Sequence, residues 1–333
     1  MLDTAPETIE ELREALLLLK KISKDALLLP LTGGVSSLIA HVLDGSDEWV
    51  AKTPLQRLAV VDKWIADRSR SGHEAAALRF FGGNLGPVLT PTLRFYDTTS
   101  LIIGEQFFPG PPPTYKDMLL SGVARPDVSA ALGGALTELQ QLSAPPDISG
   151  NTPRVLFNEL RLEPFYLTTA NELPYLRGNL VALTEETRSE QRCMVHGDFT
   201  PKNVLVDQNR TVLLDWEGVH VGDPAFDPAT LIAHLTLKAL RGVSREICLA
   251  TVLDAQRFSS SYEGVATPQR VLRHTGALML SRIYGKSRVD YLETEHTRNR
   301  VHEVAVVSLR GELSTFDDFF GAVTSTSLRQ ENA

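Results

Sequence analysis

At 333 residues and 43% hydrophobic content, the chain is long enough to bury one large core or two moderate ones without covalent staples. Its net charge of -8 gives no global pull toward nucleic acid or an anionic membrane, so neither is expected as a partner. The two cysteines, Cys193 and Cys248, have no CxxC or metal-ligand spacing, which fits a reduced, cytoplasmic protein.

Met1 to Ile22 carries Asp3, Glu7, Glu10, Glu11 and Glu14 around Leu16 to Leu19. A secretory leader begins basic and then turns apolar, so this acidic opening reads instead as an amphipathic helix, expected to pack on a small lobe. No apolar run reaches the roughly 18 to 20 residues that a membrane helix needs.

Leu27 to Leu43 reads as strand, small-residue turn, strand. Gly33 and Gly34 permit close backbone approach, and the N–H groups from Gly34 through Val35 and Ser36 to Ser37 are candidates to cradle phosphate oxygens. Glu48 to Thr53 forms the next strand and places Lys52, the first lysine after the glycine turn, near its end. Thr53 to Ser71 is longer than a plain strand-to-helix turn, and its Arg57, Lys63, Arg68 and Arg70 are expected on a solvated face. Gly72 to Phe81 is an Ala-rich helix with Glu74 near its start, placed either to pair with Lys52 or to favour the helix dipole.

Leu101 to Phe108 is an apolar strand that runs into a proline-rich stretch, and proline continues neither a sheet nor a helix interior. The chain is therefore expected to divide into an N-terminal lobe over 1–108, a connector over 109–113 and a C-terminal lobe over 114–333. Helical spacing of apolar residues recurs at 128–142, 155–169, 228–240, 244–261 and 268–283. The expected class is α+β, with a small antiparallel-sheet lobe and a mainly helical one.

Val195 to Gly218 is the most specific stretch. His196-Gly197-Asp198 opens it, Asn203 follows five residues after Asp198, and Asp215 ends the second of two short β-prone runs. Asp207 and Asn209 favour a turn between those runs, and the resulting hairpin brings Asn203 and Asp215 to one end. Phosphoryl transfer to a hydroxyl needs a carboxylate near the attacking oxygen and oxygen ligands that hold Mg²⁺ against the phosphates. Asp198 suits the first task, and Asn203 with Asp215 the second.

This segment resembles the aminoglycoside phosphotransferase and choline kinase group, small-molecule kinases of the protein-kinase-like fold. Protein kinases carry Arg in place of Gly197 and DFG in place of Asp215-Trp216-Glu217. The resemblance implies a two-lobed kinase-like fold and transfer from ATP, with GTP left open, in the presence of Mg²⁺. The acceptor would be the hydroxyl of a small molecule: an antibiotic, a sugar, an amino-alcohol or a hydroxy-amino acid.

It further implies that Lys52 reaches the nucleotide phosphates and pairs with Glu74, and that Glu105, Gln106 and Phe107 meet the nucleobase. His196 would order the catalytic loop, Asp227 would brace it, and Lys202 and Glu217 would support the site. A nucleotide-binding scaffold and a protein kinase are the alternative readings, and the protein is expected as a monomer or homodimer.

For the acceptor, the chain offers two rival sets. Thr236 to His302 holds eleven Lys and Arg against six Asp and Glu. Within it Arg282, Lys286 and Arg288 would suit an anionic or sugar-like acceptor, whereas Glu159 and Glu163 would suit a cationic one. Gly285-Lys286-Ser287 is not a P-loop, because Leu280 stands where that motif needs glycine.

Overall fold

The structure is a computed structural model and describes residues 5–31, 36–56, 67–110, 112–207, 210–242 and 244–328. The first helix, α1 (Ile9–Leu18), is started by a capping box in which Thr8 accepts from the Glu11 N–H and Glu11 reaches back to the Thr8 N–H. Strands β1 (Leu27–Pro30), β2 (Ser37–Asp44) and β3 (Asp47–Pro54) follow, with β2 and β3 joined by a two-residue turn in which Gly45 takes φ +66°. Helix α2 (Arg70–Phe81), strands β4 (Gly83–Leu85) and β5 (Val88–Thr90), and strands β6 (Leu93–Asp97) and β7 (Ile102–Gln106) complete the first part of the chain.

The main sheet is five-stranded and antiparallel, in the order β1-β2-β3-β7-β6. Alternation along its strands separates two faces. Ala40, Val42, Trp49, Ala51 and Ile102 form one small core with Leu12, Ala15 and Leu16 of α1, so the acidic N-terminal helix covers the outer face of the sheet. Each fully buried leucine of that contact contributes roughly 2 kcal/mol. The intervening positions, Val50 and Lys52 on β3 and Ile103 and Glu105 on β7, lie on the opposite face; Val50 is paired with Glu105 and Lys52 with Ile103.

After β7 the chain is mainly helical: α3 (Tyr115–Leu120), α4 (Pro126–Gln141), α5 (Pro146–Ser149), α6 (Asn151–Phe157), a π-helical segment (Asn158–Leu167) that contains Pro164, α7 (Thr168–Glu172) and α8 (Arg177–Ser189). Four short strands then frame the centre: β8 (Cys193–Val195), β9 (Val204–Val206), β10 (Thr211–Leu213) and β11 (His220–Gly222). β9 and β10 form a hairpin, β10 also pairs in parallel with β5, and β11 pairs with β8.

Helices α9 (Phe226–Ala239), α10 (Arg245–Ser261), α11 (Pro268–Tyr284), α12 (Glu295–Leu309) and α13 (Phe316–Leu328) build the rest. One continuous core runs from α2 through α4, β8 and Trp216 into α9 and α11, so the large lobe and the helix of the small lobe share their packing. Among the described residues, no helix is long and apolar enough to cross a membrane.

Candidate active site

The β9–β10 hairpin pairs Val204 with Leu213, and the Leu214 N–H donates to the Asn203 carbonyl at 2.8 Å. Asn203 and Asp215 consequently stand at the same end of the hairpin. Asp215 adopts a left-handed conformation at φ +68° and ψ +66°, which a non-glycine residue rarely takes and which commonly marks a functional site.

Lys52 joins the two lobes. Its Nζ lies 2.8 Å from Glu74 Oε1 on α2 and 2.6 Å from Asp215 Oδ1. Burial alone would push Lys52 down, but the carboxylates of Asp215 and Glu74 outweigh it and hold the ammonium well above the ordinary lysine range. Burial likewise raises Glu74 to about 8 against the pull of Lys52, and Glu105 to about 7. Lys52 is charged here and pairs with Asp215 and Glu74, while burial holds the Glu74 and Glu105 carboxyls toward their neutral forms.

The catalytic-loop candidate Asp198 is 4% exposed and is held from several sides. Its Oδ2 lies 3.0 Å from Asn203 Nδ2, 2.9 Å from Lys202 Nζ and 3.2 Å from an Arg161 guanidinium nitrogen. Among the described residues its Oδ1 takes no hydrogen bond. Burial would raise this carboxyl, but Lys202 and Arg161 outweigh it and keep it well below the usual carboxylate range. Asn203 spends its amide N–H groups on Asp198, so its side-chain oxygen remains as an acceptor.

His196 holds the loop rather than offering a base. Its Nδ1 accepts from the Asp198 N–H at 3.2 Å, its Nε2 donates to the Leu214 carbonyl at 3.1 Å, and burial lowers its pKa to about 4. Asp227, fully buried at the start of α9, accepts the backbone N–H groups of His196 (2.6 Å) and Gly197 (3.0 Å). Gly197 sits at φ +80°, where a Cβ would run into the Gly218 carbonyl oxygen, so the loop and the 216–218 turn meet backbone to backbone. His220 stacks on Phe157 with ring centroids 4.1 Å apart and bonds the Gly218 carbonyl, a packing arrangement.

One sequence expectation is overturned. Arg70, expected on a solvated face, is 0% exposed and is the main tie at the cleft. Its guanidinium reaches Glu217 (3.1 Å) and donates to the carbonyls of Ser36 (2.6 Å), Leu55 (2.6 Å) and Asp67 (2.8 Å). A buried guanidinium with five donors suits a site where two strand ends and one carboxylate converge, and the sequence offered no period to reveal that. Arg161, in the π-helical segment, was also missed: besides Asp198 it donates to the Gly197 carbonyl at 2.7 Å.

The remaining candidates divide. Gly33, Gly34 and Val35 lie outside the described residues, as do Arg57 and Lys63. Ser36 has its carbonyl bound to Arg70 and to the Leu55 N–H, and Ser37 is the first residue of β2. Glu105 and Gln106 end β7, with Gln106 accepting from Thr92, and Phe107 stacks on His41 of β2 at 3.7 Å. Arg282 is buried against Phe165, whereas Lys286 is half-buried and Arg288 is exposed on the loop after α11. Glu159 is half-buried and Glu163 exposed, the latter accepting from Asn158.

Comparison with known proteins bears on this arrangement. The profile of the phosphotransferase enzyme family matches residues 28–257. The chain belongs to that family.

Protein LicA from Haemophilus influenzae (strain ATCC 51907 / DSM 11121 / KW20 / Rd) is 38% identical over 58 residues, covering 17% of this chain and 22% of that relative. Among solved structures, a choline/ethanolamine kinase family protein from Mesorhizobium loti superposes with a TM-score of 0.53 at 15% identity, over 96% of this chain and 100% of that one. Choline kinase LicA from Streptococcus pneumoniae follows at 0.50 and 16%, over 90% and 98%. At such identities the likeness establishes the kinase-like fold.

Proposed function

We propose that the protein transfers the γ-phosphoryl group of Mg·ATP to a hydroxyl of a small molecule, with Asp198 receiving the hydroxyl proton. The observation that carries this reading is the ion-pair chain from Glu74 through Lys52 to Asp215, which links the sheet, α2 and the large lobe beside the Asp198–Asn203 pair.

Mg²⁺ fits the donor set: one carboxylate, Asp215, and one amide oxygen, that of Asn203, are hard ligands for an ion that keeps several waters. When bound there, the ion would neutralise charge on the phosphates. Lys52 binds phosphate oxygens and is kept in place by Glu74. Arg161 and Lys202 fix Asp198 through Oδ2, which leaves Oδ1 to accept the acceptor hydroxyl. With its pKa held low, Asp198 works by orienting the hydroxyl and taking its proton late, as a loose phosphoryl-transfer transition state requires.

The nucleobase would lie under β3 near Phe107, with GTP as the competing donor. ADP formation from Mg·ATP, measured against a panel of sugars, amino-alcohols, hydroxy acids and antibiotics, tests the reading. Turnover that disappears in Asp198→Asn supports it; turnover that survives contradicts it.

A further inference from the structure

Behind Asp198 the large lobe gathers buried basic groups: Arg282 acts on Asp198 from a distance, and Lys238 feels Arg282 and Arg241. His234 and Lys238 lie one turn apart on α9, so they share a face, and Arg241 follows the helix. Lys238 is 1% exposed, too deep to reach water by snorkelling. Its Nζ meets only neutral groups, the His234 carbonyl at 3.2 Å and the Tyr291 hydroxyl at 3.4 Å, and stands 5.1 Å from the Tyr291 ring centroid.

Two further polar atoms here, His234 Nε2 and one terminal nitrogen of Arg241, are buried without a hydrogen-bond partner among the described residues. Arg282, 8% exposed on α11, donates to the Ser287 carbonyl and lies 4.5 Å over the Phe165 ring, which Arg161 also faces at 5.9 Å. Among the described residues none of Lys238, Arg241 and Arg282 has a carboxylate at ion-pair distance, while Arg161 in the same wall touches Asp198.

Burial, and then the charges of Lys116, Arg282 and Arg241, bring Lys238 down to about 7. A buried cation without a counter-charge is a cost to folding. It is compensated when a ligand brings the missing negative charge, and perturbed groups of this kind gather at functional sites.

We propose that the acceptor carries an anionic oxyacid group, a carboxylate or a phosphate, which docks on Lys238, Arg241 and Arg282 and presents a neighbouring hydroxyl to Asp198. This rests on the phosphotransferase reading above and specifies its substrate class. In the transfer, the acceptor oxygen bonds to the γ-phosphorus, and the bond from that phosphorus to the bridging oxygen breaks with its electron pair left on ADP. The hydroxyl proton passes to Asp198 and then to solvent.

The test is calorimetric binding of glycerate, glycerol 3-phosphate, inorganic phosphate, glycerol and choline to the full chain, wild type and Lys238→Met, with thermal unfolding of both. At least one anion should bind the wild type, glycerol and choline should not, and the glycerate and phosphate arms separate carboxylate from phosphate. Lys238→Met should weaken the anion at least tenfold and yet raise the melting temperature of the free protein, a combination that a merely structural lysine would not produce.

Arg282→Met should weaken the same anion, which guards against a result peculiar to one variant. Absence of anion binding at tens of millimolar, tighter binding of choline, or a Lys238→Met protein that is less stable with unchanged affinity would overturn the proposal. Turnover with neutral or cationic alcohols alone, lost in Asp198→Asn, would leave the phosphotransferase reading standing and overturn this one.

Discussion

The site gathers carboxyl groups around one lysine on one side and basic groups around one aspartate on the other. Around Lys52, one ammonium faces Glu74, Glu105 and Asp215. Around Asp198, one carboxylate faces Arg161 and Lys202 at contact distance, with Arg282 acting on it from further away. Had each side been built for stability alone, its charges would pair off, because breaking or omitting a buried partner is expensive. The difference fits the proposed division of labour, in which a divalent cation with its nucleotide loads the acidic side and an acceptor loads the cationic one.

The sharpest way to break this comparison is at its two acids. Asp198→Asn should reduce turnover by about 10³-fold or more while nucleotide affinity stays within a few-fold of wild type, as ADP formation and calorimetry would report. Asp215→Ala should remove Mg²⁺-dependent nucleotide binding as well as turnover, since the proposed metal ligand and one of the two carboxyl partners of Lys52 are lost.

Arg70→Met acts on stability first: it leaves Glu217 buried without its guanidinium and removes the Arg70 bonds to the Ser36 and Leu55 carbonyls, and should cost about 3 to 5 kcal/mol in urea unfolding. Gly197→Ala should cost roughly 1 to 3 kcal/mol and lower turnover, because the left-handed backbone and the Gly218 contact cannot both be kept.

The smallest effect is one of pH. Asp198 has its folded pKa held low, so it adds stability above the unfolded carboxylate value near 4 and loses it as the pH falls further. Wild type should therefore lose stability between about pH 4 and pH 2 more steeply than Asp198→Asn in acid unfolding.

Chain-order reading made some of this visible and hid the rest for identifiable reasons. The hairpin that unites Asn203 with Asp215 could be read because two β-prone runs flank a turn, and the kinase-like fold followed from a motif whose spacing is local. Some large-lobe helices were legible from their apolar period, the one expected at 268–283 being observed as Pro268–Tyr284, whereas α3, α8, α12 and α13 were not read. Arg70 and Arg161 were not legible, because each acts on partners far away in sequence, Glu217 and Asp198, and a buried arginine looks like a surface one in a string of letters.

The basic run from Thr236 to His302 suggested an anionic acceptor and singled out Arg282, but could not tell which of its members face inward. Arg282 faces inward, Arg288 outward, and Lys238, the deepest of them, was only one of eleven. The helix expected at 155–169 is observed as the end of α6, a π-helical segment containing Pro164 and the start of α7, and a pattern read at 3.6 residues per turn does not distinguish the π-helical part.

The most direct test of the central claim is a paired titration of Mg²⁺ and a non-hydrolysable ATP analogue into wild type, Asp198→Asn and Asp215→Ala, with ADP formation from ATP measured on the same preparations. A division of labour between the two sides predicts that Asp198→Asn binds the nucleotide like wild type without turning over, and that Asp215→Ala loses the Mg²⁺-dependent part of binding. Equal loss of binding in both variants, or turnover that persists in Asp198→Asn, would contradict it.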